Sequence, residues 1–280
     1  MTTAPPPAAP LPDLSALSLN QITINRWSLP EALEGCRRHG IGWIGVWRDK
    51  VAECGLDRAA ALVRDSGLRV SSLCRGGFFP AATPEQRRAR RDDNRRAVDE
   101  AVALGTDLLV LVCGPPADGD LEAARRQVVE GIEELAPYAA SAGVRLGIEP
   151  LHPMFAADRS VVVTLAQANQ IALRFPADQV GVVIDAYHVW WDPEVYAEIE
   201  RAAGRILGFH VSDWIVPPPD HLLGRGLMGD GVIAFRRLRA AVEAAGYRGP
   251  IEVEILNQAL WDLPPDEALA AVRARFLAHV

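Results

Sequence analysis

Four short apolar runs in the second half of the 280-residue chain carry a polar group at or near their carboxyl end. Glu149 closes VRLGIE, Asp185 closes VGVVID, His210 stands in ILGFHV, and IEVEI offers both Glu252 and Glu254. Three carboxylates and one imidazole make a hard, oxygen-rich donor set. Such a set suits one divalent cation: Mn²⁺ first, with Mg²⁺, Co²⁺ or Zn²⁺ as alternatives. A cation held in this way can chelate a carbonyl and a neighbouring hydroxyl. A flanking carboxylate can then take the proton from the adjacent carbon. Any one of these residues alone is as readily a solvated strand end. Four of them on consecutive runs argue for a site.

These groups need elements that bring them together. Short β-branched runs alternate with amphipathic stretches along the chain. Strands are predicted at Leu17–Ile24, Gly42–Trp47, Arg69–Leu73, Asp107–Cys113, Val144–Glu149, Val180–Asp185, Ile206–Val211 and Ile251–Ile255. Between them lie helical patterns such as Pro84–Leu104, Leu121–Ala142 and Ala234–Ala245. In LGTDLLVLV, AGVRLGIE and AGRILGFH a glycine closes a helix just before a strand. Eight strands alternating with helices imply a parallel sheet. A doubly wound open sheet competes, but the count of eight favours a single-domain (β/α)₈ TIM barrel over residues 14–280, after a disordered Pro-rich lead-in at residues 1–13.

Side chains alternate along a strand, so the inward rows follow from the four polar groups. They read Arg145, Gly147, Glu149; Gly181, Val183, Asp185; and Ile206, Gly208, His210. Glu252 shares the parity of Glu254 one layer deeper. Arg145 is likewise inward and low, so the two are expected to pair across the interior, because a lone buried charge is costly.

Composition narrows the classes. Lys and Arg number 29 against 36 Asp and Glu, a net charge of −7 and a pI near 5.4. Bulk electrostatics therefore argue against a nucleic-acid partner. The segment QRRARRDDNRR carries both signs and reads as a solvated helix. GRGLMGDG lacks the ending of a phosphate-binding Walker loop. Four cysteines without a CxxC pair fit a reducing cytoplasm. No apolar run approaches the ~20 residues that cross a bilayer, so no membrane partner is expected. The lead-in MTTAPPPAAPLPD has neither the charged nor the apolar region of a signal peptide.

The motifs GIEPLHP, VIDAYHVWW, FHVSDW, GRGLMGDGVI and GYRGPIEVEI resemble those of the sugar phosphate isomerase/epimerase superfamily, the xylose-isomerase-like TIM barrels. The resemblance covers essentially the whole chain after the Pro-rich lead-in and is strongest from Gly147 to Glu254. It implies that Glu149, Asp185, His210 and Glu254 bind the metal. The family's last glutamate falls five residues after the glycine of the G-Y-x-G turn, which from Gly249 selects Glu254 over Glu252. It also implies that Glu149 and Glu254 transfer the proton, and that His188 and Arg225 touch substrate hydroxyls. Asp213 is a further strand-end carboxylate, expected to orient His210 or bind substrate. His152, Trp190, Trp191 and Trp214 cluster in the same loops, and Trp47 ends the second strand at the same mouth.

The implied activity is metal-dependent isomerisation or epimerisation of a small sugar-like substrate through an enediolate, by a homo-dimer or tetramer. Phe155 departs from the pattern. Ketose 3-epimerases carry a substrate-binding glutamate six residues after the first ligand, so an apolar residue there points to a more apolar or larger substrate. One alternative keeps the site and changes the outcome: a dehydratase or lyase of a keto-cyclitol, dehydroshikimate or an oxidised C-glycoside. An abasic-site endonuclease ranks below it, since that trinuclear zinc site needs more histidines than the six here. A non-catalytic sugar-binding barrel is the remaining reading, and the intact donor set counts against it.

Overall fold

The computed structural model describes residues 4–280. Eight parallel strands hydrogen-bond in chain order and close on themselves. They are β1 (Leu17–Asn20), β2 (Trp43–Trp47), β3 (Arg69–Gly77), β4 (Leu108–Val112), β5 (Arg145–Ile148), β6 (Val180–Asp185), β7 (Ile206–Val211) and β8 (Ile251–Val253). Leu17 pairs with Ile251, which shuts the ring. α1 (Leu29–Arg38) follows β1; α2 (Arg48–Cys54) and α3 (Leu56–Ser66) follow β2; α4 (Pro84–Leu104) follows β3; α5 (Leu121–Ser141) follows β4. α6 (Leu165–Ala172) follows β5; α7 (Ala186–Val189) and α8 (Val195–Arg201) follow β6; α9 (Phe235–Ala244) follows β7; α10 (Gln258–Asp262) and α11 (Pro265–His279) end the chain. This is a (β/α)₈ TIM barrel. Among the described residues no helix is long and apolar enough to cross a membrane.

The helices follow their sequence signals. Thr83 accepts a hydrogen bond from the Gln86 amide and Pro84 opens α4, the usual chemistry of a helix start. Gly105, Gly143 and Gly204 all take positive φ, between 74° and 75°, where the chain turns toward the next strand. The large core lies between strands and helices. Its side chains are the outward set of each strand, among them Leu146, Ile148, Val182, Ile184, Phe209 and Val253. A second, small cluster of Cys74, Leu108, Val110, Val183 and Leu207 fills the barrel interior, with Trp47 against it. Above that plug the inward positions turn polar.

The structure corrects several expectations. β1 ends at Asn20, and Gln21–Ile24 forms a 3₁₀ turn instead of continuing the strand. The Asn20 side chain takes the Ile22 amide at 3.1 Å and so caps that turn. β3 runs on past Leu73 to Gly77. The β6–β7 register slips between Val182 and Val183, so Leu207 joins the interior plug while Ile206 faces the helices. Arg145 does not reach Glu252. Its guanidinium meets Asp107 at 2.6 Å at the amino-terminal rim, where both side chains are exposed to solvent. The arginine-rich α4 is a solvated helix tied to its neighbour by Arg87–Glu130 (3.4 Å) and Arg91–Glu134 (3.0 Å). The lead-in from residue 4 has no helix or strand. It lies along α9, where the Ala8 amide donates to the Arg236 carbonyl at 3.0 Å and Arg239 donates to the Ala9 carbonyl.

Candidate metal centre

Glu149, Asp185, His210 and Glu254 converge at the carboxyl end of the barrel, all of them buried. One donor atom from each lies within 4.8 Å of all the others. Glu149 and Glu254 stand one residue beyond their strands, yet the ladder still fixes them. The Glu149 amide donates to the Leu111 carbonyl and the Glu254 amide to the Val211 carbonyl, both at 3.1 Å. Asp185 ends β6, and its Oδ1 accepts the Tyr187 amide at 2.9 Å, which aims the other oxygen inward.

Within the cluster the imidazole approaches both glutamates. His210 Nδ1 lies 3.2 Å from Glu149 Oε1 and 3.8 Å from Glu254 Oε2. Both Glu149 Oε1 and His210 Nδ1 are nonetheless without a hydrogen-bond partner. Buried polar atoms in that state are costly. A hard divalent cation would satisfy them, and the donor set has its chemistry. The residues therefore fit a metal.

Electrostatics push the groups in different directions. Burial raises the Glu149 carboxyl, against the pull of His210. Burial likewise lifts Asp185, to about 7, despite Arg225. For Glu254 burial is outweighed by His210 and Arg225, which hold it at about 2. His210 stays well above the usual imidazole range, because Glu252 and Glu149 overcome its desolvation.

Glu252 forms the floor of the site. Its carboxylate accepts from Asn20 Nδ2 (2.6 Å), Ser71 Oγ (2.6 Å) and Ser72 Oγ (3.0 Å), and its Oε1 faces His210 Nε2 at 3.8 Å. The side of His210 turned away from the ligand cluster thus has a carboxylate behind it. Asn20 also donates to Glu254 Oε1 at 3.4 Å and accepts from Trp47 Nε1 at 2.7 Å. Sequence reasoning left Asn20 out. It lies in the middle of the predicted Leu17–Ile24 run, and only the 3₁₀ turn at Gln21–Ile24 makes it a strand end.

The other expected residues divide. Arg225 is buried among the ligands. Its Nη1 donates to Asp185 Oδ2 (3.0 Å) and Glu254 Oε2 (3.2 Å), and its guanidinium lies over the Tyr187 ring at 4.5 Å. His188 lies beside it, with Nε2 3.2 Å from Arg225 Nη2. His188 Nδ1 accepts the His152 amide at 3.1 Å, and burial and Arg225 keep the ring neutral. Trp47 and Phe155 line the same cavity. His152 contributes through its backbone. Its ring stacks on Trp214 at 5.0 Å and meets Trp191 edge-on at 5.5 Å, apart from the ligands. Asp213 also stands apart. Its oxygens accept the amides of Gly229, Gly231 and Ile233 at 2.8–3.0 Å, so it organises the loop after β7 and does not reach His210.

Residues 33–279 match the family described as xylose isomerase-like TIM barrel, and the chain belongs to that family. A solved structure, protein SMc04130 from Sinorhizobium meliloti, is 49% identical with a TM-score of 0.93, covering 95% of this chain and 99% of that one. Among curated relatives, the inosose isomerase of Halalkalibacterium halodurans is 23% identical over 268 residues, 92% of this chain and 93% of its own. The 3-dehydroshikimate dehydratase of Pseudomonas aeruginosa is 26% identical over 243 residues. That alignment takes 82% of this chain but 36% of the dehydratase, so the chain spans about a third of that protein's length.

Proposed function

We propose that this barrel is a divalent-metal-dependent isomerase or epimerase of a small sugar-like substrate, with Mn²⁺ the leading candidate. The observation that carries the reading is the convergence of four buried donors, with Glu149 Oε1 and His210 Nδ1 left without a hydrogen-bond partner. A cation held by these four residues would supply positive charge where negative charge develops as a proton leaves the carbon next to a carbonyl.

The chain's own groups account for the remaining roles. β5 and β8 are three strands apart around the barrel. Glu149 and Glu254 therefore approach a central substrate from different sides. One removes the proton next to the carbonyl. The other returns it on the opposite face, giving an epimer, or at the neighbouring carbon, giving an isomer. Arg225 and His188 stand where substrate hydroxyls would sit, and Trp47 with Phe155 forms the apolar wall. The four free thiols, three of them buried, suit a cytoplasmic setting. A homo-dimer or tetramer of barrels spanning residues 14–280 is the proposed working unit, with no nucleic-acid partner.

Solvent-deuterium exchange tests the reading. Mn²⁺-loaded protein is incubated in D₂O with ketoses and inososes and followed by NMR. Exchange at one C–H next to the carbonyl is expected. A purified protein that binds no metal and gains no activity on adding Mn²⁺ would sink the proposal.

A dehydratase is the second reading. It is favoured by the similarity to dehydroshikimate dehydratase and by buried Phe155, which gives the cavity an apolar wall. A new conjugated chromophore in the product would select it.

A further inference from the structure

Beside the ligand cluster, the mouth carries arginines that form no ion pair of their own. Arg75, near the carboxyl end of β3, lines the cavity that holds Glu149, Glu254 and Arg225. It also lines an adjoining cleft of about 490 Å³ that opens outward past Trp47. The Arg75 guanidinium lies 3.9 Å from the centre of the Phe78 ring, and Arg90 reaches the same ring at 5.7 Å. Arg159, from the segment after β5, lines the inner cavity and lies 5.9 Å from the Phe155 ring. Among the described residues, none of Arg75, Arg90 and Arg159 has an ion pair within 4 Å.

The neighbouring acids are engaged or peripheral. Arg48, in the same cleft, holds Glu100 at 2.6 Å and Asp93 at 3.1 Å. Asp93 is taken a second time by Arg96 at 2.9 Å. Asp49 is exposed at the outer edge. Arg75 itself is half-buried, and its pKa is pushed down by that burial and by the Arg159 charge. Two partly desolvated cations facing one cavity repel each other. An anion between them removes that repulsion, and guanidinium forks match the oxygens of a carboxylate or a phosphate. The aromatic rings behind them hold the forks in place without neutralising them.

We propose that Arg75 and Arg159 form an anion subsite, and that the substrate of this barrel carries a carboxylate or phosphate group a few atoms from its reacting carbon. The inner cavity leaves only about 30 Å³ free, but Trp47, Cys74 and Arg75 line both it and the cleft of about 490 Å³, so a molecule seated in the cleft meets Arg75 on its way to the ligands. The substrate class rests on the enediolate reading above, whereas the subsite itself does not.

The experiment has two arms. In the first, methyl phosphate and acetate are titrated by calorimetry into the Mn²⁺-loaded full chain and into R75Q, R159Q and the double variant. At least one anion is expected to bind, and at least ten-fold more weakly to the double variant. R75K, which keeps the charge, is expected to recover part of the loss. Unfolding midpoints, measured alongside, exclude a folding defect. If the native chain binds neither anion, or the double variant binds equally well, the subsite is overturned whatever the catalysis does. In the second arm, deuterium exchange compares D-ribulose, D-ribulose 5-phosphate and 3-dehydroshikimate. The charged compounds are expected to lead in kcat/KM by at least ten-fold, and R75Q is expected to shrink that lead. Preference for the phosphate or for the carboxylate identifies which anion is used. An equal kcat/KM for the neutral sugar overturns the substrate class. Exchange with none of them, while the anions still bind through the arginines, defeats the enediolate reading and not the subsite.

Discussion

The two sides of the barrel mouth are built on different plans. On the side of β5 to β8, the four donors stand at or within one residue of their strand ends, all buried, and the one register slip, between Val182 and Val183, lies below them. On the side of β2 to β4 the register slips twice, at Ile44/Gly45 and at Cys74/Gly76. β3 overshoots the barrel and carries the chain to Phe78 at φ 53°, a left-handed value. It passes through Gly77 at φ 99°, where a Cβ would strike the Val112 carbonyl. One side is the more regular, and its donors are buried. The other is irregular, cleft and lined by half-buried arginine. Regular strand ends hold chemistry in place, while irregular ones open room to select a substrate.

The difference predicts where substitutions act. Glu149→Gln and Glu254→Gln remove a proton-transfer group on the regular side. Each is expected to lower kcat by about 10²–10⁴-fold, the usual value of a general acid or base. Arg75→Gln on the irregular side should act mainly through KM. Steady-state kinetics on the best substrate separates the two. If both glutamine variants keep their turnover, the proton-transfer assignment is wrong; if R75Q lowers kcat as far as they do, the division of labour fails.

Glu252 tests how far the regular side extends downward. It lies behind His210 Nε2 and touches no substrate position. Glu252→Gln is expected to weaken Mn²⁺ binding about 10–100-fold, as loss of a group that orients a ligand does. Titration calorimetry reads this directly. Arg145→Gln is the contrast: its pair with Asp107 is open to solvent, so stability should move by less than about 0.5 kcal/mol in urea unfolding. A larger shift would mean that the exposed pair at the rim carries part of the barrel's stability.

This division also explains what the sequence could reveal. The period-two alternation and the polar strand ends made Glu149, Asp185 and His210 legible, because a buried parallel strand admits few polar residues. Glu254 needed the spacing from Gly249, since Glu252 has the same parity. Strict alternation puts Leu207 outward, but Val182 and Val183 pair with Ile206 and Gly208, so Leu207 is an extra residue in β7 that turns inward, which only the pairing with β6 reveals. Asp213 looked like its strand-end neighbours. Its oxygens are claimed by amides of Gly229, Gly231 and Ile233, contacts that exist only once that loop has folded back. Arg75 and Arg159 sit 84 positions apart in segments with no helical or alternating pattern, so nothing local in the sequence paired them.

Gly45 joins the two sides. It lies on β2, and a Cβ built there would collide with the Glu252 carboxylate. Gly45→Ala is therefore expected to cost about 1–3 kcal/mol, the range for overpacking a tight interior. It should also lower Mn²⁺ affinity by displacing Glu252. Gly42→Ala, one residue before β2 with open space around its Cα, should change neither. Urea unfolding and metal titration on both variants give the comparison. A loss of stability with unaltered metal binding would uncouple Glu252 from His210.

Thiol labelling gives the finest measure of the contrast. Cys54 is the one partly exposed cysteine; Cys36, Cys74 and Cys113 are buried. Burial pushes the Cys36 and Cys113 thiols up to about 12, and raises that of Cys74 as well. Only a thiolate attacks a maleimide at a useful rate. Native protein at pH 7.5 should thus label quickly at Cys54 alone, and at all four positions in denaturant. Cys74 should be the second to react, because it lines both the ligand cavity and the cleft on the irregular side. Cys36 packs in the helix-strand core and Cys113 beside β4, so both should wait for unfolding. Mass spectrometry of timed samples gives the order. If Cys113 reacts before Cys74, the β2–β4 side opens somewhere other than at the arginine cleft.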